Sequence, residues 1–295
     1  MKQSQVIELF ILAAIWGASF LFMRIAAPEF GPILLMTLRV AIASLCLMPL
    51  LIYYQQVNEL KGYWNHLFVV GLLSTALPFS LFGYATLSLT AGVTSVLNTM
   101  TPMFGVLIGL FWFKEKITST MLFGLMLGVF GIYLLMYEKI QIQPQSQVLL
   151  PTLAIVIATF CYALAANYTK KYLTGVKPLV QATGSLLCAT VILLPFNLLH
   201  LPNTPISTQS IIAVILLGVV CTGIAYILFF RLLTTIGPNK TISVTYLIPI
   251  FGMFWGYLWL DEHISLLMMI GVFIVLLGVA MSTGYLKKRA LIKTQ

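Results

Sequence analysis

Ten apolar runs, each roughly 20 residues long and joined by short polar connections, account for nearly the whole sequence. They lie near residues 6–26, 32–53, 67–88, 92–113, 119–137, 149–169, 178–199, 210–231, 239–260 and 264–285. About 20 helical residues rising 1.5 Å each cross the hydrocarbon of a bilayer. The runs are continuously apolar and lack the alternation of barrel strands, so each is expected to be a helix that satisfies its own backbone. Only 8% of the chain is charged, against about 25% in soluble domains. An all-α integral membrane protein with ten transmembrane helices follows. The first run is too long for a signal-peptide core, and an uncleaved first span is expected.

The net charge of +9 reads as a topology signal, and nucleic acid is not an expected partner. With the N-terminus inside, the cytoplasmic segments hold 13 of the 16 Lys and Arg, from Lys2 and Lys61 to the basic tail at 287–295. Both termini are then cytoplasmic under the positive-inside rule. The four cysteines lie within apolar runs without metal-ligand spacing, and read as packing residues.

An internal repeat carries the next inference. Shifting residues 102–131 by 147 positions gives ten identities in thirty, among them Pro102/Pro249, Gly105/Gly252, Trp112/Trp259, Glu115/Glu262 and Gly131/Gly278. Gly71/Gly218 and Thr75/Thr222 extend the match upstream. The expected organisation is a first five-helix repeat at 1–138, a linker at 139–148, and a second at 149–286. Five is odd, so the second copy enters the membrane upside down. Inverted-topology repeats are the architecture of alternating-access transporters. The run Asp261, Glu262, His263 resembles a metal site or proton relay, but consecutive side chains fan out about 100° apart on a helix. A hairpin turn with Glu262 capping or pairing locally is expected, and no metal.

Ten spans in two halves, a Pro-x-Phe-Gly run ending in an acidic turn near the close of spans four and nine, WGASF in span one and TLRVAIASL in span two together resemble the drug/metabolite transporter superfamily, and its EamA-type bacterial members in particular. The resemblance covers essentially the whole chain. It implies a bacterial cytoplasmic-membrane carrier of small organic molecules, commonly an exporter of amino acids or related metabolites.

Candidate cavity residues come from the spans themselves. Pro102 and Pro249 sit mid-span as expected hinges, leaving the carbonyls of Asn98 and Thr245 without their usual partners. Thr94, Asn98 and Thr101 share one helix face, and Thr241 and Thr245 repeat the first two positions. Such hydroxyls suit a cavity wall or a bond back to their own helix. Trp16, Ser19, Tyr162, Asn167 and Tyr226 lie near mid-depth, with Tyr84 nearer the outer end of span three; each suits ligand contact or packing. Arg39, about two turns into span two, is an intramembrane charge. It fits either a carboxylate-bearing substrate or a structural anchor. No acid stands at mid-membrane for proton coupling. Gly105xxxGly109, Gly252xxxGly256 and Gly124xxxGly128 allow close helix approach within the chain or in a homodimer.

No HExxH, GxSxG or P-loop is present, so neither an enzyme nor a cofactor is expected. The leading expectation is a secondary carrier of amino acids or related amphipathic carboxylates, contacting membrane lipids and a small-molecule substrate. A lipid or lipid-linked-sugar flippase with a greasy lateral opening, or an importer of the same fold, is the alternative.

Overall fold

The computed structural model describes residues 3–114, 118–142, 144–197, 202, 205–241 and 243–283. Eight helices are long and apolar enough to cross a membrane: α1 Gln3–Phe30, α2 Pro32–Tyr53, α3 Val57–Ala85, α4 Ala91–Phe113, α5 Ser119–Tyr137, α6 Gln147–Tyr172, α7 Pro178–Asn197 and α8 Thr208–Ile236. Two shorter apolar helices, α9 Val244–Leu260 and α10 Leu266–Ser282, complete the ten. No strand occurs among the described residues. The basic tail, Lys2, Glu115 and Lys116 lie outside the described residues.

Helix α3 begins well before its apolar run. Leu60 and Leu67, seven residues apart on one face, pack where Gly184 of α7 leaves room: a Cβ there would lie 2.6 Å from Leu67 Cδ1. Tertiary packing extends the helix through a polar stretch that hydropathy alone reads as a connection.

Local signals repeat with the sequence. Helices α2 and α7 open on Pro32 and Pro178, whose missing N–H costs nothing in a first turn. Thr118 and Ser265, 147 residues apart, accept bonds from Met121 and Met268 N–H as N-caps of α5 and α10. Lys114 and Asp261 close α4 and α9 in the left-handed conformation, at φ 53° and 50°. Each half also carries a wide π-turn in matching position, Leu72–Ala76 in α3 and Val219–Ile224 in α8.

Packing follows the same pseudo-symmetry. Helix α1 lies against α9 as α6 lies against α4, and α3 contacts α6 and α7 as α8 contacts α1 and α2. Helices α2 and α7 pair with each other, as do α5 and α10. The two inverted five-helix units are thus interleaved, and much of the buried surface lies between them. Between α5 and α10 the backbones nearly touch: a Cβ on Gly124 would lie 2.5 Å from Ser282 N, and one on Gly278 would lie 2.7 Å from Gly124 O. The Gly124/Gly128 face therefore packs inside the molecule.

The acidic turn differs from the expected local cap. Glu262 reaches across to the other half, where its carboxylate accepts from Ala91 N–H at 2.7 Å and Gly92 N–H at 3.2 Å. It thereby caps the first turn of α4, where orphan amides and the helix dipole favour an anion. Gly256 makes room, since a Cβ there would collide with that carboxylate.

Candidate functional site

Arg39 is the organising residue. It is 7% exposed and does not snorkel to either face. Its Nε donates to Thr222 Oγ1 at 2.9 Å, and its guanidinium carbon lies 3.9 Å from the centroid of the Phe79 ring. An Nη1 contact to Met23 Sδ is long, at 3.9 Å. The hydroxyls of Tyr162 and Tyr226 and the Cys221 thiol lie within electrostatic reach. Among the described residues no carboxylate pairs with it.

Each neighbour is placed by a feature of the repeat. Thr222 stands in the α8 π-turn and donates to the Leu217 carbonyl at 2.9 Å, five residues back. The wider turn carries its oxygen toward α2. Helix α2 can approach because Gly218 has no side chain; a Cβ there would lie 2.7 Å from Ile42 and 3.2 Å from the Arg39 carbonyl. The mirrored contact is Gly71 of α3 against Ser185 and Cys188 of α7. The second half has Ser185 or Leu186 at the position of the arginine, so the site is asymmetric. Tyr162 packs on Phe79 and Phe82, with centroids at 6.4 and 5.8 Å. The Phe79 ring and a Thr hydroxyl thus hold the guanidinium, and a cation over a ring is favourable where water is excluded.

The candidates from the sequence divide into groups. Arg39, Tyr162 and Tyr226 come together. Ser19 is buried beside the Cys221 thiol, and its hydroxyl has no partner of good geometry. Trp16 packs on Phe229 at 5.4 Å. Tyr84 is 41% exposed at the end of α3, away from the cluster. Asn167 bonds back to the Ala163 carbonyl at 2.9 Å and across to Gly105 of α4 at 3.4 Å, a role that joins helices.

The two prolines sit in unlike surroundings. Helix α4 turns tightly at Asn98 and Thr99, and the Asn98 carbonyl accepts from Thr101 N–H at 3.2 Å in place of the missing Pro102 donor. The hydroxyls of Thr94 and Thr101 are buried without partners. Helix α9 runs unbroken through Thr245 and Pro249, and its discontinuity precedes Val244, after the short turn Pro238–Thr241. Thr222 and Cys221 were not among the sequence candidates, and Phe79 stood there only as the repeat partner of Tyr226. The Thr75/Thr222 and Phe79/Tyr226 repeat pairs are the signals that point to them.

Comparison with known proteins places these features in a family. The model of the EamA-like transporter family matches residues 4–137 and again residues 149–284. An uncharacterized transporter of Bacillus subtilis, YoaV, is 24% identical over 280 residues, covering 93% of this chain and 95% of that protein. A "probable amino-acid metabolite efflux pump" of Escherichia coli is 22% identical over 300 residues, covering 96% of each. Protein PecM of Dickeya dadantii is 24% identical over 89% of this chain and 86% of its own. A solved protein structure superposes with a TM-score of 0.67 over 98% of this chain and all of its own, at 17% identity, which shows the fold.

Proposed function

The chain belongs to the EamA-like transporter family, and from that premise we propose that it is a secondary carrier exporting small carboxylate-bearing metabolites, amino acids or related compounds, by alternating access. The observation that carries the reading is Arg39. A buried guanidinium with no acid partner among the described residues is costly in a membrane unless an anion completes it. A planar fork matches a carboxylate bidentately. In this reading Arg39 takes the carboxylate, while Tyr162, Tyr226 and Ser19 offer hydroxyls to the polar remainder. The breaks beside Pro102 and before Val244 let α4 and α9 swing.

The two repeats at 1–138 and 149–286 rock about this site. Clamps that join the halves lie at opposite ends of the helices. One end has Glu8 with Arg231 at 3.2 Å and Glu59 with Lys177. The other has Glu262 on α4, and Glu29 accepting from Ser207 N–H at 2.7 Å. Opening requires breaking one set while the other persists. The lysine bias supports cytoplasmic termini, and the bacterial relatives support an inner-membrane location. Export over import rests on the efflux-pump relative.

The test compares metabolites inside and outside cells making wild type or Arg39→Gln at matched membrane abundance. A carboxylate that accumulates outside only with wild type is the expected result. Equal accumulation with both proteins overturns the Arg39 assignment.

A further inference from the structure

The Arg39 cluster adjoins a second feature that its polar chemistry does not use. Between α1, α8 and α9 lies a groove of about 740 Å³, lined by apolar side chains except for Gln209. Ile212 and Trp259 on its rim are exposed, so it opens sideways toward lipid. One wall is pinned by Trp255, whose indole N–H donates to the Ala14 carbonyl at 2.9 Å.

The floor of this groove is shared with the arginine site. Cys221 lines the groove and stands in the α8 π-turn. The next residue of the same π-turn, Thr222, holds the arginine Nε. Successive helical residues point in different directions, so one turn faces the groove with Cys221 and the guanidinium with Thr222. Helix α1 does likewise: Ala18 lines the groove, and Ser19 is buried beside Cys221. Adjacent residues of one turn thus face an apolar groove and a cation that has no acid partner among the described residues.

We propose that groove and arginine are two parts of one binding site for an amphiphilic organic anion, with its carboxylate on Arg39 and its unbranched apolar tail in the α1/α8/α9 groove. This rests on Arg39 being the anion site. The occupant follows from charge complementarity and continuity. A neutral lipid fills the groove but leaves the guanidinium unpaired, whereas a short polar acid pairs the guanidinium but leaves the groove unused. The volume falls in the ~300–1,000 Å³ range of small-molecule sites. Such a substrate reaches the site sideways from the bilayer, with α1 and α8 parting at Ala18 and Cys221.

Trp255 and Trp259 report on the groove directly. In full-length protein with Trp16, Trp64 and Trp112 changed to Phe, 12-bromododecanoate is titrated as a quencher, with 12-bromododecanol as the neutral control. The expected result is saturable quenching by the acid alone, with a midpoint raised at least about tenfold by Arg39→Gln. Filling the groove with Ile212→Trp or Leu216→Trp is expected to abolish dodecanoate export and spare export of a short carboxylate. If the Phe background does not fold, the same titration on the wild type keeps the comparison of acid with alcohol. Equal quenching by acid and alcohol, unchanged by Arg39→Gln, overturns the proposal and identifies a lipid-filled surface groove. Arg39-dependent transport of short acids that is unchanged by both groove-filling variants overturns the tail site and leaves Arg39 as the anion site. If Arg39→Gln alters neither transport nor quenching, the underlying anion-site reading falls with it.

Discussion

A guanidinium has five N–H donors to satisfy, and in Arg39 one of them has a good protein partner, Thr222. Removing that hydroxyl with Thr222→Val is expected to destabilise the protein by about 1–3 kcal/mol, the cost of leaving a buried donor unmet. A fluorescence melt of the purified protein measures it, and an unchanged melting temperature contradicts the assigned contact. Arg39→Lys is expected to recover little transport, because an ammonium lacks both the planar fork and the stacking on Phe79. Full recovery reduces the site to a point charge. Glu262→Gln keeps the shape and removes the charge that caps α4; its expected cost is about 1–2 kcal/mol. The Glu8–Arg231 pair, exposed on its arginine side, contributes about 1 kcal/mol, so Glu8→Gln is expected to shift the melt less than Glu262→Gln does.

At the level of helices, paired sequence motifs do not carry equal weight. Gly105 and Gly252 are repeat partners, yet a Cβ on Gly105 meets nothing within 4 Å, whereas one on Gly252 would collide with Ser95. Gly105→Ala is therefore expected to be neutral or slightly stabilising, by up to about 1 kcal/mol of helix propensity. Gly278→Leu, driven into the α5 backbone, is expected to abolish the monodisperse peak in size-exclusion chromatography. The sequence announces such positions as small residues without saying which face meets a backbone. Helix number and inverted pairing were legible because they depend on hydropathy and on a 147-residue repeat. The π-turns were not legible, since nothing in Leu72–Ala76 or Val219–Ile224 distinguishes a five-residue bond from a four-residue one. That gap explains why Thr222 and Cys221 escaped notice while Arg39, a charge in an apolar run, did not. The contacts of Asn167 and Glu262 were not legible for a related reason. Their polar atoms serve contacts between halves, and a linear pattern does not show which distant backbone needs a partner.

For the whole molecule, interleaving of the halves makes the proposed rocking a matter of breaking contacts at one end while keeping them at the other. The orientation of those ends is itself testable. In intact cells a membrane-impermeant maleimide is expected to label Thr208→Cys from outside and to leave Asn58→Cys unlabelled until the cells are opened. The reverse pattern inverts the assignment of inner and outer clamps. Free cysteines do not confuse the assay, because Cys161, Cys188 and Cys221 are buried and Cys46 is half-buried within a span. Carrier behaviour at Arg39 is tested most directly by solute counterflow in proteoliposomes, using the carboxylate whose export distinguishes wild type from Arg39→Gln. Preloading with unlabelled compound is expected to drive a transient overshoot of labelled uptake in the wild type and none in Arg39→Gln. Uptake that preloading leaves unchanged, or an overshoot that survives Arg39→Gln, contradicts an alternating-access carrier built around this arginine.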